Sequence, residues 1–454
     1  MYGVGGIGLV LWLLLASGLA TGLRLAGGGG LLGTIAVFAL GVELRGMTMD
    51  GVPLIAWRGT PEAGAQLPGG RLDIWSGQRS RSSRWPEQSA DLQQPRRHWR
   101  QEVGAGFAGF ALAGGEAATV AITQEQRRSY ECIVAYDLRT GSEIWVYADS
   151  ARFATLRAGV GPRSTPVVDG GLVYALGASG WLRCLAGGDG GRLVWRRRIG
   201  ARAATWGLWA SPVIVDDLVI VAGAPGQQGV PLSAFDRRSG EPRWQVEAGG
   251  GVPILATVAG VRQLILSGVD GASGHLTPTG MTLWRTSWPE SDGVLPAFEH
   301  LQDGSLLFGG GRGGVRVIDV QAHVGAGGMI AALLWRALHL RPTLSAVVQV
   351  DGFLYGLDDG RLVCLDATTG FRRWQGARYG HGRLRRAGRH LLVQSEDGDI
   401  AVVACDSAQF RQLLRFQAVD TRRGWALPTV HLPWVLTRGT GEAALWELPE
   451  LDDL

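Results

Sequence analysis

The side chains able to carry chemistry are limited in kind and scattered along the chain. Eight histidines, at positions 98, 275, 300, 323, 339, 381, 390 and 431, never fall at metal-ligand spacing. Cys132, Cys184, Cys364 and Cys405 occur singly, mostly just before an Asp within apolar runs. They read as small core side chains, not as a disulfide framework or a zinc site. The sequence holds no lysine and no asparagine, so all 44 basic residues are arginine. A Schiff-base or Walker-type lysine and an asparagine metal ligand or oxyanion donor are thereby excluded. No Gly-x-Ser-x-Gly and no phosphate loop is present. Glu396-Asp397-Gly398-Asp399 has the acids of a calcium loop, but it joins Leu391-Leu392-Val393 to Ile400-Ala401-Val402-Val403, which makes it a hairpin turn.

The elements that must position any site are strands. The 454 residues include 71 glycines, about twice the usual share, beside an ordinary apolar fraction of 46%, the balance of an all-β protein rich in tight turns. A chain of this length exceeds a single hydrophobic core, so a repetitive array is expected. The net charge of +4 is small, and basic clusters such as Arg196 to Arg198 lie far apart, so no nucleic-acid surface is expected.

Two uncharged stretches open the chain, Gly5 to Leu23 and Leu25 to Val42, separated by Arg24. Each is long enough to cross a bilayer as a helix. Residues 1–45 are therefore read as a membrane anchor of two transmembrane helices, with one as the alternative. A signal peptide would need a basic n-region, which Met1 to Gly5 lacks. Arg24 in the hairpin turn puts that turn in the cytoplasm and the carboxyl region outside. Residues 46–95, rich in Gly, Pro, Ser, Gln and Arg without a sustained period, read as a tether with short ordered pieces.

Beyond Trp99, short apolar runs alternate with Asp-Gly, Gly-Gly and Ser-Gly turns, as hairpins do. Many end in one unit: Asp137, Gly141, Trp145; Asp236, Gly240, Trp244; Asp366, Gly370, Trp374. Degenerate copies carry Gly190 and Trp195, Gly280 and Trp284 with Leu276 in the Asp place, Asp319 and Trp335 around an insertion, and Asp406 without a tryptophan. In this unit the Asp carboxylate accepts backbone N–H bonds, the Gly supplies φ > 0, and the Trp brings a large ring to bury. Successive ends recur at the period of a four-stranded propeller blade. The expectation is an all-β, eight-bladed β-propeller with four-stranded blades, seven-bladed as the alternative, preceded by one or two transmembrane helices. The strand around His98-Trp99-Arg100-Gln101 is expected to close the ring against the carboxyl-terminal segment.

The segment Ala135-Tyr136-Asp137-Leu138-Arg139-Thr140-Gly141-Ser142-Glu143-Ile144-Trp145 resembles the tryptophan-docking motif of the PQQ-like (quinoprotein-like) repeat family. Trp85-Pro86 followed by His98-Trp99-Arg100 resembles the entry segment of such propellers. The plan of anchor, tether and propeller, with Thr123-Gln124-Glu125-Gln126-Arg127 and Arg378-Tyr379-Gly380-His381-Gly382, is similar to that of membrane-bound bacterial propellers. The resemblance runs from Trp85 to the carboxyl end and implies the fold. For function it implies one of two things: a calcium-dependent dehydrogenase carrying pyrroloquinoline quinone (PQQ), or a non-catalytic scaffold such as the lipoprotein subunit of the outer-membrane β-barrel assembly machinery. The enzymes bind calcium through Glu and Asn, use an Asp base, and in many members carry two adjacent cysteines. Asn and the cysteine pair are missing here, so no cofactor is expected, with PQQ and calcium as the alternative. The expected role is a scaffold at the cytoplasmic membrane, its propeller periplasmic and bound to an envelope protein. Propellers offer partners the loops at their channel mouths; the candidates there are Gln124, Glu125, Arg163, Trp206, Trp209, Tyr379, His381 and Trp425.

Overall fold

The computed structural model describes residues 42–47, 53–57, 94–114, 119–155, 159–199, 207–223, 231–248, 251–268, 271–288, 297–310, 313–322, 328–343, 345–421 and 423–451. The expected helices of the anchor and most of the tether lie outside the described residues. No described helix is long and apolar enough to cross a membrane. Val42–Met47 and Pro53–Trp57 form an antiparallel hairpin that straddles the expected boundary between anchor and tether. Its first strand alternates apolar with charged or small residues (Val42-Glu43-Leu44-Arg45), the period of a strand and not of a helix.

The rest of the described chain carries eight four-stranded antiparallel sheets, each a propeller blade. Blades 1 to 7 follow the sequence: blade 1 runs from Ala111–Ala113 to Glu143–Ser150, blade 2 from Val167–Asp169 to Arg192–Arg198, blade 3 from Val213–Val215 to Pro242–Glu247, and blade 4 from Gly251–Val258 to Thr282–Ser287. Blade 5 runs from Ala297–His300 to Met329–Ala337, blade 6 from Val348–Val350 to Arg372–Arg378, and blade 7 from Arg383–Ala387 to Gln412–Gln417. First strands line the axis, touching their neighbours between blades 1 and 2, 2 and 3, 3 and 4, and 6 and 7, while the fourth strands lie outermost. Blade 8 takes three strands, Thr429–His431, Trp434–Arg438 and Glu442–Glu447, from the carboxyl end and its outermost strand, Arg96–Glu102, from the start of the propeller. Pairing from Arg96↔Glu447 to Glu102↔Glu442 closes the ring by hydrogen bonds and leaves no gap between first and last blade.

Each junction between blades has its own apolar core. Cys132 lies in the core between blades 8 and 1, Cys184 in that between blades 2 and 3, and Cys364 in that between blades 6 and 7. All four cysteines are free. Burial pushes the first three thiols up to about 12 and Cys405 up to about 11, far from a reactive thiolate.

The repeated unit joins neighbouring blades. Asp366 Oδ1 accepts the N–H groups of Thr368 (3.0 Å) and Thr369 (2.9 Å), and Gly370 closes the turn onto the Asp366 carbonyl at φ +73°. The tryptophan of one blade then rests on the glycine of the next and donates its indole N–H to the carbonyl that follows the Asp position. Trp99 reaches Leu138 (2.8 Å), Trp195 reaches Arg237 (3.1 Å), Trp244 reaches Thr277 (3.1 Å) and Trp335 reaches Ala367 (3.1 Å), while in the degenerate blade 7 copy Trp374 reaches the carbonyl of Asp406 itself (2.8 Å). Trp99 thus serves as the docking tryptophan of blade 8.

The degenerate copies depart from this pattern in identifiable ways. In blade 2 the ring of Trp145 covers Gly191, not Gly190, and its Nε1 lacks a hydrogen-bond partner because the extra residue shifts the turn. In blade 7 Phe410 takes the glycine position and meets Trp374 edge-on at 5.6 Å. In blade 5 Asp319 opens no turn. It pairs with Ala332 within a lengthened hairpin that continues to Ala322↔Met329, and Trp284 of blade 4 bonds Gln263 Oε1 instead (2.8 Å).

The turn acids give a pH prediction. The N–H of Thr369 holds the Asp366 carboxyl below its ordinary range; for Asp236 the Arg243 guanidinium is the larger cause and the Ser239 N–H the next. Because these folded-state values are depressed, their stabilisation is present above about pH 4, the unfolded value, and is lost as pH falls through the lower folded one. Asp366→Ala should therefore melt below the wild type at pH 7, and the gap should close as pH falls from about 4 towards 2. Thermal melts followed by circular dichroism check this; a gap constant down to the lowest pH rejects it.

Candidate functional site

Because all inner strands run the same way, the segments entering them and the exits of the second strands share one end of the propeller. This connector face collects every described candidate. Gln124 and Glu125 lie at the exit of the second strand of blade 1; Arg163, Trp209, Tyr379, His381 and Trp425 lie in connectors between blades. Trp206 lies outside the described residues.

Most of them are buried and engaged between blades, whereas loop residues at a channel mouth are expected to be free. Gln124 donates through Nε2 to the carbonyls of Ser164 (2.6 Å) and Leu176 (3.2 Å), tying blade 1 to blade 2. Tyr379 donates its hydroxyl to Gln412 Oε1 (2.7 Å). The His381 N–H donates to Glu396 Oε2 (3.2 Å). A cation–aromatic ladder runs across three connectors: Arg423 lies 4.9 Å from the Trp425 ring, which packs on Phe107 at 5.2 Å, and Arg163 lies 5.0 Å from Phe107 and 5.3 Å from Phe153. Burial, and then the neighbouring Arg423, brings Arg163 down to about 9; burial brings Arg423 and Arg383 to about 10.

Glu125 sits at the centre of the seam where the ring closes. Its Oε2 accepts the Gly104 N–H (2.9 Å), and both oxygens lie 3.2 Å from the Tyr136 hydroxyl. Arg127 bridges Glu125 and Glu143. Burial works against the Arg127 charge, but Glu125 and Glu143 outweigh it and its value is raised. Arg438, at the end of blade 8's second strand, lies 3.9 Å from Glu125 Oε2. It donates to Thr123 Oγ1 (2.6 Å) and to the carbonyls of Gln124 (2.9 Å), Gly104 (2.8 Å) and Ala108 (3.3 Å). Both Arg438 and Glu125 are almost wholly buried. Sequence reasoning selected Glu125 but missed Arg127, Tyr136 and Arg438. Thr123 to Arg127, five polar residues in a row inside a strand, was the available signal, since all five turn out buried.

The connector face also gathers polar atoms that the fold leaves unused. Ser164 Oγ, Trp209 Nε1, Ser267 Oγ, Gln394 Oε1, Glu396 Oε1, Thr437 Oγ1 and Arg438 Nε are buried without a hydrogen-bond partner among the described residues. Such atoms cost free energy unless water or a ligand meets them, so this end of the axis is suited to polar binding.

The described residues of this face do not fit a calcium-bound quinone. The acid nearest the seam, Glu125, is held by two guanidiniums, a hydroxyl and an amide. The cysteines are dispersed among interblade cores, and among the described residues no three His, Cys, Asp or Glu side chains converge as metal ligands do. Burial, then Glu125, raises the Tyr136 phenol, so it offers no base either.

Residues 129–276 match the family model described as outer membrane protein assembly factor BamB. Among solved structures, BamB from Moraxella catarrhalis superposes with TM-score 0.56 at 18% identity, over 78% of this chain and 98% of that one. Quinohemoprotein alcohol dehydrogenase from Comamonas testosteroni gives TM-score 0.56 at 13% identity, over 81% of this chain and 79% of that one. A computationally designed protein, Ika8, gives 0.53 at 13% identity, over 77% of this chain and 98% of that one. No curated protein matches. Blade count, docking tryptophans and these matches together support a PQQ-like β-propeller fold for the chain. Likeness at this level of identity extends equally to an enzyme and to a designed protein, so it speaks for the fold and not for a reaction.

Proposed function

We propose that the chain is a non-catalytic β-propeller scaffold of the bacterial cell envelope, held at the cytoplasmic membrane by its apolar amino-terminal region and presenting its propeller to protein partners on the periplasmic side. The observation that carries this reading is the fate of Glu125: the buried carboxylate best placed for acid–base work is fixed by Arg127, Arg438, Tyr136 and the Gly104 amide, as a strut between first and last blade. The match of residues 129–276 to an assembly-factor model supports a scaffold. The uncharged stretches Gly5 to Leu23 and Leu25 to Val42 support the anchor.

Purification of the full chain from membranes in mild detergent should bring down an envelope protein in stoichiometric amount. Recovery of the bare chain, or its complete release from membranes by salt alone, counts against the scaffold and the anchor respectively. The alternative is a membrane-bound PQQ-dependent dehydrogenase of alcohols or sugars. It is tested by adding PQQ with Ca²⁺ to the purified chain: no quinone absorbance and no alcohol- or sugar-dependent dye reduction are expected, and tight quinone binding would reverse the ranking.

A further inference from the structure

Blade 5 differs from the other blades at its outer edge. Its fourth strand, Met329–Ala337, is nine residues long, against eight in blade 1 and six or seven in the rest. The extra length is the hairpin that replaces the usual Asp turn. Met329 and Ala331 fold inward and join the core of blades 4 and 5 beside Trp284. Ile330, Leu333 and Leu334 turn outward, 51%, 62% and 53% exposed, and Leu338 follows at 57%. Docking of Trp335 onto Gly370 carries Phe371, 73% exposed, to the same edge.

Outer propeller strands are sheet edges, and an apolar edge invites unwanted pairing unless charges blunt it. Blades 2, 6 and 8 have several such charges, Arg192, Arg196, Arg197 and Arg198 on blade 2, Arg372, Arg373 and Arg378 on blade 6, Arg96, Arg97 and Arg100 on blade 8; blades 4 and 7 have one each, Arg285 and Arg415, on strands that are shorter and expose no leucine or isoleucine as strongly as blade 5 does. Met329–Ala337 has a single charge, Arg336, at its far end. Its one strand partner is Val315–Ala322; Thr282–Ser287 of blade 4 lies close to it without pairing, and no described strand hydrogen-bonds to its other side. A row of main-chain N–H and C=O groups therefore lies beside four outward leucine or isoleucine side chains and one phenylalanine.

We propose that this edge is a docking site for an extended segment of a partner protein, which adds to blade 5 as a fifth strand, its apolar side chains packing on Ile330, Leu333, Leu334 and Phe371. The surrounding charge favours a partner segment flanked by acidic residues. Arg285 is exposed on the neighbouring outer strand of blade 4, Arg336 ends the strand itself, and Arg372 and Arg373 follow Phe371, all exposed. The nearby Asp319 accepts from Gln321 Nε2 (2.5 Å). A second copy of this chain would set arginine against arginine, and an extended strand, unlike lipid, satisfies the backbone groups of the edge.

The proposal deepens the scaffold reading by naming the kind of partner and its place. The probe is a nine-residue Val-Thr alternating peptide with Asp-Glu flanks, titrated onto the full chain. Two controls share its length: one with Arg-Arg flanks, one with prolines at alternate core positions. The acidic peptide should bind at least about tenfold tighter than the basic one, the proline peptide should not bind, and Leu333→Lys with Leu334→Lys should remove binding without lowering the melting temperature. Hydrogen exchange on the unaltered chain should show peptide-induced protection confined to residues 329–337 and their neighbours in blade 5. Equal binding by the proline peptide, protection elsewhere, a dimer of the chain abolished by the lysine pair, or flotation on phosphatidylglycerol vesicles that the pair abolishes would each overturn it. If the natural partner still co-purifies with the lysine variant, this inference fails while the scaffold reading stands; if no partner co-purifies with either chain, the scaffold reading itself fails.

Discussion

Replacing Gly240 by alanine should destabilise the propeller by about 3 kcal/mol, much more than an exposed turn substitution normally does. Two costs fall on one atom. Gly240 has φ +72°, a left-handed conformation that costs an L-residue roughly 1–2 kcal/mol. An added Cβ would also lie 2.6 Å from Cδ2 and 2.8 Å from Cε3 of Trp195, a ring wedged in the core of blades 2 and 3. The ring cannot retreat without giving up its 3.1 Å bond to the Arg237 carbonyl. Gly190→Ala separates the two costs: its φ is +62°, but nothing lies within 4 Å of the new Cβ, so only the backbone cost, about 1 kcal/mol, should appear. Urea unfolding followed by tryptophan fluorescence compares the two variants. Equal midpoints would mean that ring docking contributes nothing to the blade junction.

Arg438→Met is the second substitution with a large expected effect, about 3–5 kcal/mol. It removes the only charge that blade 8 contributes to the seam network around Glu125 among the described residues, and strands the carbonyls of Gly104, Gln124 and Ala108 in a buried site. Breaking one partner of a buried charged network costs more than the pair is worth, since the remaining groups stay desolvated. The damage should be local before it is global. The segment leading from the outermost strand of blade 8 into blade 1 is held by Arg438 at Gly104 and Ala108, so limited proteolysis should cut first between residues 94 and 110. Combining Glu125→Gln with Arg438→Met should cost less than the sum of the two, because Glu125 is the carboxylate that Arg438 faces, so once one of the pair is gone, removing the other loses less. A variant as stable as the wild type and equally resistant to protease would remove the seam network from the account of ring closure.

Asp, Gly and Trp made the blades legible because each acts through chemistry that is nearly local. An Asp that caps backbone amides, a Gly that accepts positive φ and a Trp at a fixed distance specify turn and strand within about ten residues, and their spacing counts blades. The His98-Trp99-Arg100-Gln101 strand was legible for a related reason: a strand with no blade of its own needs an edge to pair with. What each tryptophan touches was not legible, since the ring docks on the following blade. Phe410 in the glycine place and Gly191 in place of Gly190 follow from that contact and not from the motif.

The candidate residues divide in the same way. Their types and their nearness to turns are properties of the local sequence, and topology places the described ones on one face. Their burial is tertiary: Gln124, Glu125 and Tyr379 look like mouth residues in sequence, but second-strand exits and connectors pack under one another near the axis, where polar groups must find partners across blades. Arg438 stands more than three hundred residues from Glu125, and no pattern in either segment brings them together. The Asp319 to Trp335 insertion announced an irregular blade; only the strand pairing showed it to be a lengthened hairpin with an apolar edge. By itself, then, the sequence determined the repeat, the blade type, the absence of lysine and asparagine chemistry and the apolar amino-terminal stretches, all properties of residues near one another in the chain. The tertiary structure decided which tryptophan covers which glycine, how Arg438 and Glu125 close the ring, and which sheet edge is left apolar, because these depend on contacts between segments whose separation in sequence carries no local signal.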